Sequence, residues 1–543
     1  MLQYCYVITF QHGIMKKLLI LALVLGVGAT LFWKPSAPMH DTLSISGPFE
    51  FNSQDLSKDG FVFSRLQVVE SLVGINDDAE PYPLLAQSWQ QSDDGLSWTF
   101  TLRPNVQFHD GTLLSAQAAA QSLNLALAKP GVIRQVPIQS ISALNDRVVI
   151  TLDRPYRALP SVLAHYSTAI IAPSSMDASG KVIQLQGTGP YQIASLQAPH
   201  KAKVTRFDAY WGTPAHIETV EYLAGHRSES RALLAQSGQA DLVYTLDPIS
   251  ISTLQAAKNI DLHVESMPRT VLVKLNNAHP FLNDKTVRQA LSLALDREGI
   301  AQSVLRLPGS EAYQLFSPAL GAWHIAQHDH QPDTAHVNNQ LADDQLVGNQ
   351  HADKLQQAKA LLSAQGWHAN AQGLLQRDGQ VFRVQLVTYA DRPELPLIAT
   401  ALQAQWRALG IDVQISIDNS SAIPAKHHDN SLEMALIARN FGTLADPLPL
   451  LMNDFATEKG ADWGPMHWSS NTFSALLEQL SGEADPAQYR QLAQQAATVL
   501  ADEMPLIPVT YYRQIVAVNR HLDGFSFDPF EINYRVSEMR FDD

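Results

Sequence analysis

Residues 83–127, PLLAQSWQQSDDGLSWTFTLRPNVQFHDGTLLSAQAAAQSLNLAL, constrain the fold more than any other stretch of the chain. Asp94-Gly95 stands between two runs of strand-forming residues, and Asp-Gly favours tight hairpin turns whose central residues need positive φ. After that turn, Trp98, Phe100 and Leu102 alternate with Ser97, Thr99, Thr101 and Arg103, giving one apolar face and one wet face. The apolar face needs a covering layer. A turn at Pro104-Asn105 leads into Val106 and Phe108, and Asp110-Gly111 closes another. Ser115 then caps an Ala-rich helix, Ala116 to Ala128, whose low bulk suits close packing on a sheet. The stretch predicts a small meander with a helix laid over it.

With 543 residues, 45% of them hydrophobic, the chain can bury one or two large cores, and two lobes, one of them composite, fit that length. The formal net charge of -15 disfavours non-specific binding to nucleic acid or anionic lipid, so no nucleic-acid partner is expected. The only cysteine is Cys5, which excludes an internal disulfide, a Cys-based zinc site and a catalytic thiol in the folded body. Met15-Lys16-Lys17 precedes an apolar run from Leu18 to Trp33, the charged start and greasy middle of a secretory signal. The run falls short of the roughly 20 residues of a bilayer span. Val27-Gly28-Ala29 offers a cleavage site after Ala29, with an uncleaved inner-membrane anchor as the alternative. Residues 1–37 are set aside as signal peptide or N-terminal anchor.

Further along, DTLSISG reads as an opening strand, followed by a loop from Pro48 to Asp59 and a helix-like stretch over 62–75. RVVITLD at 147–153 is a strand ended by Pro155. Gly187, Gly189 and Pro190 give a sharp entry to a strand, glycine tolerating backbone angles closed to other residues; no Lys-Ser/Thr follows to make a phosphate loop. Tyr210-Trp211-Gly212 is expected to pack at a lobe surface. Residues 229–240 have helix spacing, TVLVKLN at 270–276 alternates, and Asn283 or Asp284 caps a helix with Val287, Ala290, Leu291 and Leu295 on one face. Residues 308–352 read as a polar surface insertion carrying His324, His328, His330, His336 and His351. His328-x-His330 beside Asp329 is a candidate metal-ligand pair, set against a solvated loop with incidental histidines.

The second half alternates helix and strand. A helix at 354–366 stops at Gly366, Asp378-Gly379 makes a hairpin before RVQLVTY, and a helix at 397–411 leads to the strand DVQISI. This pattern predicts a sheet with helices on its faces and ligand-binding loops at strand ends. A strand at 434–438 delivers Arg439, Asn440 and Phe441 into a loop containing Asp446-Pro447. A last helix, 489–501, precedes the strand MPLIPVTYYRQIVAVN, where alternation sends Tyr511 and Tyr512 to opposite faces.

The order Leu-Ala-x-Ser-Trp (85–89), Asp-Gly-Leu-x-Trp-x-Phe-x-Leu-Arg (94–103), Val-x-Phe-His-Asp-Gly-Thr (106–112) and a helix opening Ser-Ala resembles the signature of solute-binding proteins that serve peptide and nickel ABC importers. GTGPYQIASLQ, RFDAYWG and PFLNDKTVRQALSLALDREGIAQSVL continue the match in the same order, over nearly all of residues 42–543. The resemblance implies an α/β, two-lobed periplasmic binding protein fold with a hinge and an extra subdomain in the first lobe. Lobe I would span 38–268, lobe II 269–507, and 508–543 would return to lobe I. It further implies a periplasmic monomer without a cofactor, holding a small-molecule or peptide ligand between the lobes and delivering it to an ABC permease in the inner membrane.

Family members turn the loop after the opening strand into the cleft, which makes Asn52 a candidate together with Asp55 and Ser57. Peptide-taking relatives place a carboxylate for the ligand's amino terminus where this chain has Thr443. Arg-Asn-Phe-Gly-Thr-x-x-Asp-Pro is closer to the nickel-binding branch, although Ala445 replaces an aromatic of that branch. Tyr166 and Ala169 stand where its arginines for an anionic chelate would be. The candidate ligand-binding residues are thus Asn52, Arg134, Tyr166, Arg439, Asn440, Phe441, Thr443, Asp446, His467 and Tyr511. Arg439 offers a fork to a carboxylate, Phe441 a contact face, and Asp446 a partner for a cation or a brace for its loop. Met466-His467-Trp468 either covers the ligand or packs on the body. No Gly-x-Ser-x-Gly elbow, His-Glu-x-x-His helix or Walker loop is present, and the adjacent Asp93 and Asp94 diverge on a turn, so no enzyme is expected. The alternative function is a membrane-tethered metal scavenger or sensor built on the histidine insertion.

Overall fold

The computed structural model describes residues 42–225, 227–328, 343–390, 392, 394–455, 461–483 and 485–542. The N-terminal segment, His330 and the side chain of His328 lie outside what is described. Ten strands form one sheet in the order Asp412–Asp418, Arg383–Tyr389, Met434–Asn440, Ile260–Leu275, Leu506–Asn519, Leu242–Val243, Thr42–Gly47, Thr219–Ala224, Lys201–Arg206 and Tyr191–Gln197. Strands from the first half of the chain collect at one end and strands from the second half at the other. Between them lie the two long antiparallel strands, Ile260–Leu275 and Leu506–Asn519, whose pairing changes register between Ser266 and Thr270. The result is the two-lobed α/β architecture expected.

The hairpin and covering helix of the first-lobe subdomain form as the sequence predicts, but Asp94 does not take positive φ and the strand beyond Ser97–Leu102 is Arg147–Leu152, not a continuation through Val106 and Phe108. Strands Ala86–Gln91, Ser97–Leu102, Arg147–Leu152 and Ile138–Leu144 lie side by side in that order. Gly95 takes φ +71° in the first turn, and Trp98, Phe100 and Leu102 are buried beneath the helix Ala116–Ala128. That helix starts where Ser115 Oγ accepts the Ala118 N–H at 3.1 Å, satisfying one of its free first-turn donors.

Three local expectations fail. The first helix is Leu56–Arg65, capped by Asp55, which accepts the Ser57 N–H at 3.0 Å. Gln67 at φ +54° ends the turn after it, and Val73–Ile75 is a strand paired with Pro81–Pro83. Capping chemistry fixed the start, and β-branched Val68 and Val69 do not prolong the helix. Gly187 and Gly189 are required by crowding and not by backbone angle: an added Cβ would overlap Val68 O and Gln67 O respectively. The segment after residue 308 is not a solvated loop throughout. Leu315, Phe316, Leu320 and Trp323 are core residues, Thr270 Oγ1 donates to Leu315 O at 2.7 Å, and a helix already begins at Asp343.

Candidate functional site

A cavity of about 810 Å³ opens beside the middle of the sheet, within the range of roughly 300–1,000 Å³ typical of small-molecule sites. Phe49, Arg231, Asp247 and Glu531 contribute to its wall, facing Arg269, Tyr389, Arg392, Glu394, Arg439, Asn440 and Trp463. A narrower continuation of about 270 Å³ shares Phe49, Arg269, Asn440 and Glu531 and reaches Arg65, Tyr166 and Thr443.

Charge is concentrated here, although the protein as a whole is acidic. Glu531 lies between two buried guanidinium groups, 3.2 Å from Arg269 and 3.7 Å from Arg65, and Arg65 Nε also donates to the Glu531 carbonyl at 3.1 Å. Burial pushes the Glu531 carboxyl up, but Arg269 and Arg65 outweigh it and hold it below its ordinary value. Burial lowers the Arg269 guanidinium, and neighbouring Arg392 lowers it further. Arg269 and Arg392 approach the Tyr512 ring at 5.0 and 5.1 Å, a favourable use of its π face. The Arg392 guanidinium makes no salt bridge or hydrogen bond among the described residues, only this ring contact, while its backbone carbonyl accepts the Leu395 N–H at 3.1 Å. Arg269 Nε, Arg65 Nη1 and Glu394 Oε1 are buried without a hydrogen-bond partner among the described residues. Unpaired buried polar atoms are costly, and these three concentrate next to the cavity wall.

Arg439 is placed on this wall but already holds a carboxylate. Its Nε and Nη2 each donate to Asp454 at 2.8 Å in a two-pronged pair, and the residue belongs to the strand Met434–Asn440, not to the loop after it. Behind it, the fully buried Lys274 approaches His427 Nδ1 at 2.6 Å and donates to the carbonyls of Asp462 at 2.8 Å and Ala461 at 3.2 Å. These carbonyls lead directly to Trp463 on the cavity wall. Burial lowers Lys274 to about 7, while Asp454 and Asp462 oppose that shift. Between pH 7 and the unfolded lysine value near 10.4, the unfolded chain holds a proton that the native chain lacks, so stability rises with pH. Urea titrations from pH 7 to 9 should show a contribution of up to about 1.4 kcal/mol per pH unit that Lys274→Met abolishes.

The remaining candidates divide. Asn440 and Tyr511 line the main cavity, and Tyr166 and Thr443 its continuation. Tyr512 lines it beside Tyr511, because the register shift between Ser266 and Thr270 interrupts simple alternation where these residues pair. Asn52 is exposed and away from both chambers, its backbone N–H donating to Asp59 at 3.2 Å; Asp55 and Ser57 serve the helix cap. Arg134 is exposed on the short turn Val132–Gln135, remote from the cavity. Phe441 is core, edge-on to Phe316 at 5.4 Å. Asp446 accepts the Leu448 N–H at 2.9 Å and the Tyr489 O–H at 2.6 Å, bracing its loop beside a separate cavity. His467 points to Asn430 at 3.2 Å, while Met466 and Trp468 pack into the body. Among the described residues no group of three or more His, Cys, Asp or Glu is arranged to hold a metal, and no helix is long and apolar enough to cross a membrane.

Sequence reasoning missed Arg269, Arg392, Glu394 and Glu531. The one local signal was Arg392 and Glu394 just past the C-terminal end of the strand Arg383–Tyr389, where open α/β sheets place their ligands.

Known proteins match this frame over most of the chain. The model of the bacterial extracellular solute-binding proteins, family 5, matches residues 80–462. The nickel-binding periplasmic protein of Escherichia coli (strain K12) is 26% identical over 516 residues, covering 88% of this chain and 90% of that protein. The glutathione-binding protein GsiB of Salmonella paratyphi A is 30% identical over 243 residues, covering 43% of this chain and 47% of that protein. Among solved structures, NikA from Brucella suis in complex with Fe(III)-EDTA superposes with a TM-score of 0.79 at 22% identity, covering 92% of this chain and all of that one. Since the family model spans well over half of the sequence, the chain belongs to the bacterial extracellular solute-binding proteins of family 5.

Proposed function

We propose that the protein is the substrate-binding component of an ABC importer and captures a carboxylate-bearing solute, a peptide or an anionic metal chelate, between its lobes. The observation that carries this reading is Arg392, a cavity-lining guanidinium with no carboxylate or carbonyl partner among the described residues, close to Arg269. A ligand carboxylate supplies the missing acceptors, and a planar fork is well matched to it. The long strands Ile260–Leu275 and Leu506–Asn519, common to both halves of the sheet, act as the hinge about which the lobes close and bury the solute. The signal-like N-terminus and membership of the family support a location outside the cytoplasmic membrane, where the protein hands the solute to its permease. Names of relatives cover nickel and glutathione binding; glutathione carries carboxylates that suit a chamber lined by guanidinium groups, and nickel would suit it only within an anionic chelate.

Thermal unfolding with a panel of dipeptides, glutathione and nickel-histidine tests the reading. At least one carboxylate-bearing member should raise Tm, its amide counterpart should not, and Arg392→Ala should weaken binding by about 10- to 100-fold, the worth of a charge-assisted hydrogen-bonded pair. No shift with any member, or undiminished affinity in Arg392→Ala, would refute it.

A further inference from the structure

We propose that Arg157 is a clasp between the lobes, holding the subdomain of the first lobe against two helices of the second and biasing the solute-free protein towards its closed form. This rests on the reading of the long strands Ile260–Leu275 and Leu506–Asn519 as a hinge, and it concerns a contact made away from the solute cavity. Arg157 stands on the turn between the strand Arg147–Leu152 and the helical turn Leu159–Val162. Its neighbours Tyr156 and Ala158 belong to the core of the subdomain. The backbone N–H of Arg157 donates to Ser481 O at 3.0 Å, and its Nη1 donates to Glu483 O at 2.6 Å. Its guanidinium also lies over the Tyr489 ring, 4.6 Å from the ring centre.

The three partners come from one corner of the second lobe. Ser481 lies in the last turn of the helix Asn471–Gly482, Glu483 follows it, and Tyr489 is in the first turn of the helix Pro486–Glu503. The last carbonyls of a helix have no donor within it and carry the negative end of its dipole, so a cationic donor from outside suits them twice over. Tyr489 is held independently: it belongs to the core of the second lobe, and its O–H donates to Asp446 at 2.6 Å. The clasp therefore joins two separately packed cores through a charge-assisted hydrogen bond and a cation–π contact.

Its position decides what it does. Ser161 and Ala445 line both the continuation of the solute cavity and the separate cavity of about 780 Å³ that Arg157 and Tyr489 border. Arg157 itself lines neither solute chamber. Seen from the central sheet, the clasp lies beyond those chambers, on the side where lobes turning about the long strands part. Opening breaks all three contacts together, and no solute atom is needed to make them. A larger closed fraction before binding raises the apparent affinity for any solute that the closed form holds best.

Double electron–electron resonance on the solute-free protein tests the clasp. Spin labels are placed at Ser142→Cys on the subdomain and Gln479→Cys on the helix Asn471–Gly482, both exposed positions, in a Cys5→Ser background. With Arg157 present, the short-distance population should dominate. Arg157→Met, which keeps the stem and removes the fork, should raise the ratio of long to short distances by about 10-fold. Tyr489→Leu, which removes only the ring contact, should raise it by about threefold. A role confined to the packing of the subdomain would lower Tm and leave the distances as they were, which would overturn the proposal. A long-distance population already dominant with Arg157 present would overturn it too. If Arg157→Met does not fold, Tyr489→Leu decides in the same way. No solute is added, so failure here leaves the carboxylate reading standing, and a failed solute screen leaves the clasp standing.

Discussion

Glu531→Gln will lower the unfolding free energy by about 3–5 kcal/mol, the cost of breaking a buried ion pair from one side. The substitution keeps the shape of the side chain and removes only its charge. Arg65 and Arg269, which approach the carboxylate at 3.7 and 3.2 Å with side chains 9% exposed, would then face a neutral amide. One unpartnered nitrogen on each is already buried, so neither has a ready alternative. The pH dependence follows with a definite sign. Because the arginines hold the Glu531 carboxyl below its unfolded value, its contribution is fully present above the ordinary glutamate pKa of about 4.3 and is lost as pH falls through the native value. Urea titrations should therefore show an acid-induced loss of stability that is shallower in Glu531→Gln, with the m-value unchanged if only the native pair is altered.

Gly189→Ala will cost about 3 kcal/mol or more, at the upper end of overpacking. An added Cβ would overlap the Gln67 carbonyl oxygen and come within 2.8 Å of its carbon and 2.9 Å of the Val68 carbon. These are backbone atoms tied into the same contact, since the Gly189 N–H donates to Val68 O at 3.2 Å and the Tyr191 N–H to Gln67 O at 3.3 Å. No side chain can swing aside. Gly482→Ala is the matching control: nothing lies within 4 Å of its added Cβ, and alanine at a helical position should leave Tm unchanged or slightly raised.

The parts of the fold legible in the sequence are those whose causes are local. Asp94-Gly95, the alternation from Ser97 to Leu102 and the Ser115 cap specify the subdomain because each acts within a few residues. The first helix was misplaced because its opening turn, Ser57-Lys58-Asp59, looks like a polar loop; in the structure Asp59 is buried by accepting the Ser53 N–H and O–H at 2.8 and 2.7 Å. The segment containing Leu315 and Trp323 was read as solvated because its apolar residues are sparse, yet each is an anchor secured by residues distant in sequence, such as Thr270.

The site was less legible for the same reason. Arg439 was picked out by its motif and does reach the cavity, but its fork is closed by Asp454, which the helix Leu448–Asp454 returns to it. Arg65, Arg269, Arg392 and Glu531 come from four distant points of the chain, and no spacing within the sequence joins them. Only the fold brings three guanidinium groups around one carboxylate, with Arg392 lacking a salt-bridge partner among the described residues.

Native mass spectrometry of the protein purified from its own host tests most directly whether the cavity holds an acidic solute. Wild-type protein should carry a retained small molecule bearing at least one carboxylate, and Arg392→Ala, folded to the same Tm, should lose it. A retained molecule without an acidic group, or one held equally by Arg392→Ala, would contradict the account.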